Sequence, residues 1–245
     1  MARTAVVSGG GTGIGLALAK RFAADGDQVV LVGRREHVLA EAAATIGAAF
    51  VPADLETVEG AAHVARFTAD RFGTVDVIAA AAGGNTARNA PADLTDLERA
   101  SWAWNANLRL NVMTTVHLVE GLKPLLNDHG RILLFSSIAA YRGSGTGSYA
   151  ASKAALHPYA IDLSGELGAR GVTANVIAPG YVEDTEFFGD TMTEQRRATL
   201  AGQADNKRPG NPEDIASLAG WLASREAGHV TAQIIQSNGG ALAGR

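Results

Sequence analysis

The chain contains no cysteine, which excludes a disulfide scaffold, a thiolate zinc site, an iron–sulfur cluster and a cysteine nucleophile. Charge is sparse: 19% of the 245 residues are Asp, Glu, Lys or Arg, and the net charge is −4 with histidine neutral. That balance argues against a nucleic-acid partner held by bulk neutralisation of phosphates. No uninterrupted apolar run approaches the ~20 residues needed to span a bilayer. The short run Thr4–Val7 stops at glycines before the hydrophobic region of a secretory leader can form. A cytoplasmic protein without a membrane or nucleic-acid partner is therefore expected. The six histidines lack metal-ligand spacing such as His-x-x-x-His, so no metal site is expected. Repeats, low-complexity linkers and blocks of like charge are also missing.

What is present is ample core material, 47% apolar residues, and a recurrent order of short β-branched runs followed by helical stretches. Residues Thr4–Ser8, Gln28–Val32, Ala48–Pro52, Val75–Ala79, Arg131–Ser136, Val172–Ala178 and Ala232–Gln236 read as strands buried on both faces. Helices are predicted over Ile14–Asp25, Arg35–Ile46, Leu55–Phe72, Leu94–Leu126, Tyr149–Leu167 and Pro212–Ala223. Several stop at glycine (Gly26, Gly47, Gly73, Gly168), the residue favoured just past a helix end. Strand–helix alternation over the whole length implies one α/β domain, residues 1–245, with a mostly parallel, doubly wound, seven-stranded sheet and helices on both faces.

The turn Ser8-Gly9-Gly10-Gly11-Thr12-Gly13-Ile14-Gly15 follows the first strand and opens the first helix. Glycines there permit close backbone approach, and the helix N-terminus offers N–H groups to a pyrophosphate. The second strand ends Val32-Gly33-Arg34-Arg35, with no carboxylate before Glu36. A ribose 2′-hydroxyl usually meets an acid at this point, whereas a 2′-phosphate suits guanidinium, so Arg34 and Arg35 point to NADP(H). The alternative is that both are solvated residues starting a helix.

Tyr149-Ala150-Ala151-Ser152-Lys153 opens a predicted helix and puts Tyr149 and Lys153 on one face. A nearby ammonium lowers a phenol pKa, moving the tyrosine toward useful proton donation, although the pair by itself also reads as an ordinary exposed face. Ser136-Ser137 lies at the carboxyl end of a predicted strand, where open α/β sheets bind ligands.

Taken with Asp54-Leu55, Asn175…Pro179-Gly180 and Asn238-Gly239-Gly240, these motifs resemble the short-chain dehydrogenase/reductase family over essentially the whole chain, and within it the 3-oxoacyl-(acyl-carrier-protein) reductases. The resemblance implies a Rossmann-type fold and a homotetramer. It makes Tyr149 the acid toward a substrate carbonyl, Lys153 the residue that tunes it and holds the nicotinamide ribose, and Ser137 a second contact to the carbonyl. Ser136 is the less favoured neighbour. By its spacing from Trp104 and Pro124, Asn111 rather than Asn105 or Asn107 is the family's active-site asparagine, bending a long helix and ordering a proton-relay water. The implied cofactor contacts are Gly9, Thr12, Gly13, Ile14, Gly15, Arg34, Arg35, Asp54, Leu55, Ala81, Gly83, Tyr149, Lys153, Pro179, Gly180 and Val182. Asp54 also suits the N-cap of the next helix.

Two departures stand out. The family's Asn-Asn-Ala-Gly is here Ala80-Ala81-Ala82-Gly83, and the stretch before Thr185 is one residue longer than usual, leaving Thr185 unassigned. Glu183–Arg208, with Phe187, Phe188 and Met192 near its start, reads as a substrate-covering lid or as an amphipathic helix on the core. The expected activity is hydride transfer between NADP(H) and a ketone or secondary alcohol, with a small molecule or an acyl thioester as substrate. A secondary-alcohol dehydrogenase is the alternative, and a dinucleotide-binding sensor or assembly protein without turnover is a more distant one. Arg142, Arg196, Arg197, Lys207 and Arg208 are candidates for a basic entrance facing an acyl carrier.

Overall fold

Alternate residues of each strand point to opposite faces, and here both faces are apolar. From the first strand, β1 (Thr4–Ser8), Ala5 and Val7 enter one core and Val6 the other, all fully buried. The computed structural model describes residues 2–189 and 192–243. Its sheet continues through β2 (Gln28–Gly33), β3 (Ala49–Pro52), β4 (Val75–Ala80), β5 (Leu126–Phe135), β6 (Thr173–Pro179) and β7 (Ile234–Ser237). The strands lie in the order β3-β2-β1-β4-β5-β6-β7 and every pairing is parallel. The order reverses between β1 and β4, the point at which such sheets open a crevice beyond the strand ends.

The first core is closed by helix α1 (Gly13–Ala24), α2 (Glu36–Ile46) and, near the end of the chain, α10 (Pro212–Ala223), whose Leu18, Phe22, Leu39, Ile215 and Leu222 pack on the sheet. The second is closed by α3 (Val58–Phe72), α5 (Thr114–Leu122) and α8 (Leu156–Leu167) through Val64, Leu118, Leu122, Leu156 and Leu163. Helix α10 starts where its sequence dictates: Asn211 and Asp214 form a reciprocal capping box and Pro212 occupies the first turn.

Most boundaries fall within two residues of the sequence-based expectation, and four elements depart from it more substantially. The predicted helix 94–126 is broken into α4 (Asp96–Leu108), a π-helical turn Arg109–Met113, α5 and a 3-10 turn Lys123–Leu125. Strand β5 begins at Leu126, five residues before the predicted Arg131, because Leu126 pairs with Val75 ahead of an irregularity in the ladder. Helix α3 starts at Val58, not Leu55, since the Thr57 hydroxyl accepts from Gly60 N–H; Thr57 and not Asp54 is the N-cap. The predicted helix 149–167 is two helices, α7 (Gly147–Ala154) and α8, and Gly168 continues in a right-handed turn, with Gly171 taking the left-handed conformation. Two helices were not assigned from sequence, the short α6 (Ala139–Arg142) and α9 (Glu194–Gly202), the latter inside the stretch read as lid or helix; residues 190 and 191 of that stretch lie outside the described residues.

Candidate active site and dinucleotide cleft

The crevice at the β1/β4 reversal is a cleft of about 430 Å³. Its walls are backbone-rich: Gly9, Gly11 and Thr12 on the turn before α1, Val32 and Gly33 at the end of β2, Ala53 to Glu56 after β3, and Ala82 and Gly83 after β4. The turn keeps its shape because Gly15, in the first turn of α1, packs on it; a Cβ there would stand 2.1 Å from the carbonyl oxygen of Gly9. Thr12, the N-cap of α1, makes no side-chain bond to the first turn, so its hydroxyl does not compete for those N–H groups. Ser8 Oγ accepts from Ala82 N–H at 3.0 Å and ties β1 to the segment after β4, where the family's side-chain amides are replaced by alanine.

Of the residues expected at the cofactor, Gly9, Thr12, Arg34, Arg35, Asp54, Leu55 and Gly83 line this cleft. Gly13, Ile14, Gly15, Ala81, Pro179, Gly180 and Val182 do not. Gly15 acts from beneath the turn, Ile14 and Ala81 pack on the first core, and Val182 is buried within it. Gly180 donates to Ser237 O at 3.0 Å, joining the end of β6 to that of β7. Asp54 accepts from Glu56 N–H at 3.0 Å, a local turn bond at the rim. Two carboxylates missed in the sequence pair with the rim arginines: Glu56 stands 3.6 Å from both Arg34 and Arg109, and Glu186 stands 2.7 Å from Arg35. The Arg34 and Arg109 partnerships bridge segments far apart in the chain, and no local motif signals them.

Gly83 is where the cleft meets the candidate catalytic residues. A Cβ at this position would lie 2.7 Å from Asn111 Oδ1 and 2.8 Å from Lys153 Nζ, so any side chain here would have to displace these two tips. Asn111 sits in the π-helical turn, fully buried, and its side chain both accepts from Gly84 N–H at 3.0 Å and donates to Gly84 O at 2.9 Å. Its amide also donates to Asn107 O. The bend expected at Asn111 is therefore a π turn whose asparagine is spent on holding the loop after β4. Asn107 does similar work, donating to Ser148 Oγ on α7 and accepting from Thr86 N–H.

Tyr149 and Lys153 lie on α7, both almost entirely buried. Lys153 Nζ donates to Phe135 O, and burial pushes its pKa down to about 8. Burial pushes Tyr149 up to about 12, with a hydrogen bond to Ser137 pulling the other way. The lowering expected from the ammonium is not found: desolvation raises the phenol, and the group that opposes it is Ser137. Ser137 Oγ also accepts from Ala139 N–H, which fixes the serine at the start of α6. Ser136 turns away from the cleft, donating to Lys153 O and meeting His157 Nε2 at 2.8 Å. Thr185 rests on the glycine turn before α1, its methyl 3.3 Å from where a Gly13 Cβ would be. The Phe187 ring lies against Tyr149 tilted by 52°, with centroids 5.4 Å apart.

A buried tyrosine and lysine with a half-buried serine at the end of a glycine-walled cleft can hold a carbonyl oxygen and give it a proton beside a dinucleotide. Residues 9–241 match the family model described as enoyl-(acyl carrier protein) reductase. The short-chain reductase protein NovJ of Streptomyces niveus is 32% identical over 96% of this chain and 92% of its own. The acetoacetyl-CoA reductase of Allochromatium vinosum is 31% identical over 98% of each chain, and the 3-oxoacyl-[acyl-carrier-protein] reductase FabG of Escherichia coli 30% identical over 97% of this chain and 96% of its own. A solved short-chain dehydrogenase/reductase from Brucella melitensis superposes with a TM-score of 0.89 at 31% identity, covering 99% of this chain and 97% of that one. A blue fluorescent protein from a metagenomic library, solved in complex with NADPH, gives 0.87 at 28% identity, covering 98% of each. Among the described residues no helix is long and apolar enough to cross a membrane. The chain belongs to the short-chain dehydrogenase/reductase family and is an oxidoreductase.

Proposed function

We propose that the protein is an NADPH-dependent reductase of 3-oxoacyl thioesters. The observation that carries this reading is the junction at Gly83, where a cleft rimmed by Arg34 and Arg35 ends against Lys153 and Asn111, with Tyr149 on the same helix as Lys153. The residues present fit the cofactor: a glycine turn backed by Gly15 for the pyrophosphate, Asp54 and Leu55 beside the adenine, and the two arginines for a 2′-phosphate. When bound, NADPH supplies the hydride. Ser137 and Tyr149 hold the substrate carbonyl oxygen, and Tyr149, kept protonated by burial, passes its proton to that oxygen as charge develops there. Lys153 stabilises the phenolate left behind and, through its bond to Phe135 O, keeps a fixed position. Run in reverse, the same groups oxidise a secondary alcohol.

The thioester is drawn from the acetoacetyl-CoA and 3-oxoacyl-carrier reductases among the relatives. A free thioester is favoured over a carrier-bound one, because Arg197 and Arg208, two of the cations at the expected carrier entrance, are already held by Glu183 and Asp214. We further propose a cytoplasmic homotetramer, in which the exposed Trp104 and Leu108 on α4 and Ile161 on α8 become buried. Light scattering that shows a monomer removes that assembly.

The test is NADPH consumption with acetoacetyl-CoA, using Tyr149→Phe as the control. The expected outcome is turnover that falls by about 10²- to 10⁴-fold in the variant while NADPH binding persists. Tight NADPH binding without turnover of the thioester overturns the substrate assignment, and no binding overturns the cofactor assignment.

A further inference from the structure

Of four consecutive residues after β6, three touch separate parts of the site and the fourth packs on the third. Thr185 rests on the glycine turn at Gly13, and Glu186 Oε2 accepts from the Arg35 guanidinium at 2.7 Å. Phe187 packs its ring on Tyr149, and Phe188 meets Phe187 edge-on with centroids 4.9 Å apart. The Arg35–Glu186 pair joins residues 151 positions apart and lies in the wall of the dinucleotide cleft itself. One backbone segment is thus pinned to the arginine assigned to the 2′-phosphate at one residue and to the catalytic acid at the next.

We propose that Glu186 is a built-in occupant of the 2′-phosphate subsite, a latch that an incoming 2′-phosphate displaces from Arg35 and whose release lifts Phe187 off Tyr149. The proposal rests on the NADP reading above. A carboxylate and a phosphate compete for the same planar donor fork, and the phosphate brings more charge and a third acceptor oxygen. Once a phosphate sits against Arg35, Glu186 is left beside a like charge with its partner taken, which drives the segment outward. A dinucleotide that ends in a 2′-hydroxyl makes no such demand and leaves the latch closed. Cofactor identity is thereby coupled to substrate access, by as much as the two nucleotides differ in their affinity for the open and closed segment.

The test separates the nucleotide phosphate from the rest of the cofactor. Adenosine 2′,5′-bisphosphate and 5′-AMP are titrated by calorimetry into the wild type, Glu186→Gln and Arg35→Ala, and amide exchange over residues 183–189 is followed with each ligand. Both members of the ion pair are more than half exposed, so Glu186→Gln should tighten the bisphosphate by about two- to fivefold and leave 5′-AMP unchanged. The bisphosphate should speed exchange over 183–189 in the wild type toward the rate of Glu186→Gln, and 5′-AMP should not. Equal tightening of both ligands, no tightening of either, or slower exchange with the bisphosphate overturns the latch. A wild type that binds the two ligands equally, with Arg35→Ala changing neither, overturns the NADP reading and the latch with it.

Discussion

Lys153 Nζ donates a hydrogen bond to the carbonyl oxygen of Phe135 at 2.9 Å, so the ammonium of the site is anchored by the last residue of β5. A charged group spent on one neutral acceptor in a buried place is held at an electrostatic disadvantage, and its pKa falls to about 8.

The sign of the resulting pH dependence is fixed. Between about pH 8 and pH 10 the unfolded chain still binds the Lys153 proton while the folded chain has begun to lose it, so folded stability rises with pH; below that window both states are protonated and the penalty is constant. Urea unfolding of wild type and Lys153→Met at about pH 7.5 and about pH 10 should show the wild type gaining on the variant by on the order of a few kcal/mol. A pH-independent difference would mean that Lys153 keeps its proton throughout.

Gly83→Ala introduces a methyl 2.7 Å from Asn111 Oδ1 and 2.8 Å from Lys153 Nζ. The fold should survive with a loss of about 1–3 kcal/mol, since one methylene-sized intrusion is tolerated in a packed interior. Displacing the ammonium by about an ångström should lower kcat on the order of a hundredfold. Wild-type kcat in Gly83→Ala would show that the position of Lys153 is not tightly required.

Asn111→Leu keeps the volume in the π turn and deletes both bonds to Gly84. The part-buried N–H and C=O of Gly84 then lack their partner, at about 1 kcal/mol each. Thermal and urea unfolding should report that loss, and amide exchange at Gly84 should accelerate. Unchanged exchange would remove Asn111 as the clamp of this loop.

Arg131 is buried on β5 and donates to His129 O, Gly130 O and Ser224 O, the last just beyond α10. Burial lowers its pKa, and these carbonyls are what compensate the charge. Arg131→Met should cost about 2–3 kcal/mol in urea unfolding while kcat stays at the wild-type value, because the residue sits at the opposite ends of the strands from the cleft. A loss of kcat without loss of stability would contradict this structural role.

Much of the architecture was legible in the chain. β1 and α10 have the bounds expected from their residues, because a short apolar run closed by glycines and a capping box with proline are local signals that tertiary packing reinforces. The break at Arg109–Met113 was not legible as a π turn. It depends on Asn111 reaching the backbone of Gly84, a partner 27 positions away. Likewise Leu126 joined β5 only because Val75 was there to pair with it.

The candidate set Ser137, Tyr149 and Lys153 and the glycine turn could be named from the sequence because several motifs in order resemble one family, whereas the Tyr149–Lys153 spacing by itself also fits an ordinary exposed face. How those residues behave was decided by the tertiary structure. Desolvation is a property of everything packed around a group, so the upward shift of Tyr149, against the lowering expected from Lys153, could only emerge once the tertiary structure, Phe187 included, had covered it. The same holds for Glu186: nothing within its neighbourhood in the chain marks it as a partner of Arg35, and only the fold of the segment after β6 across the cleft brings the two charges together.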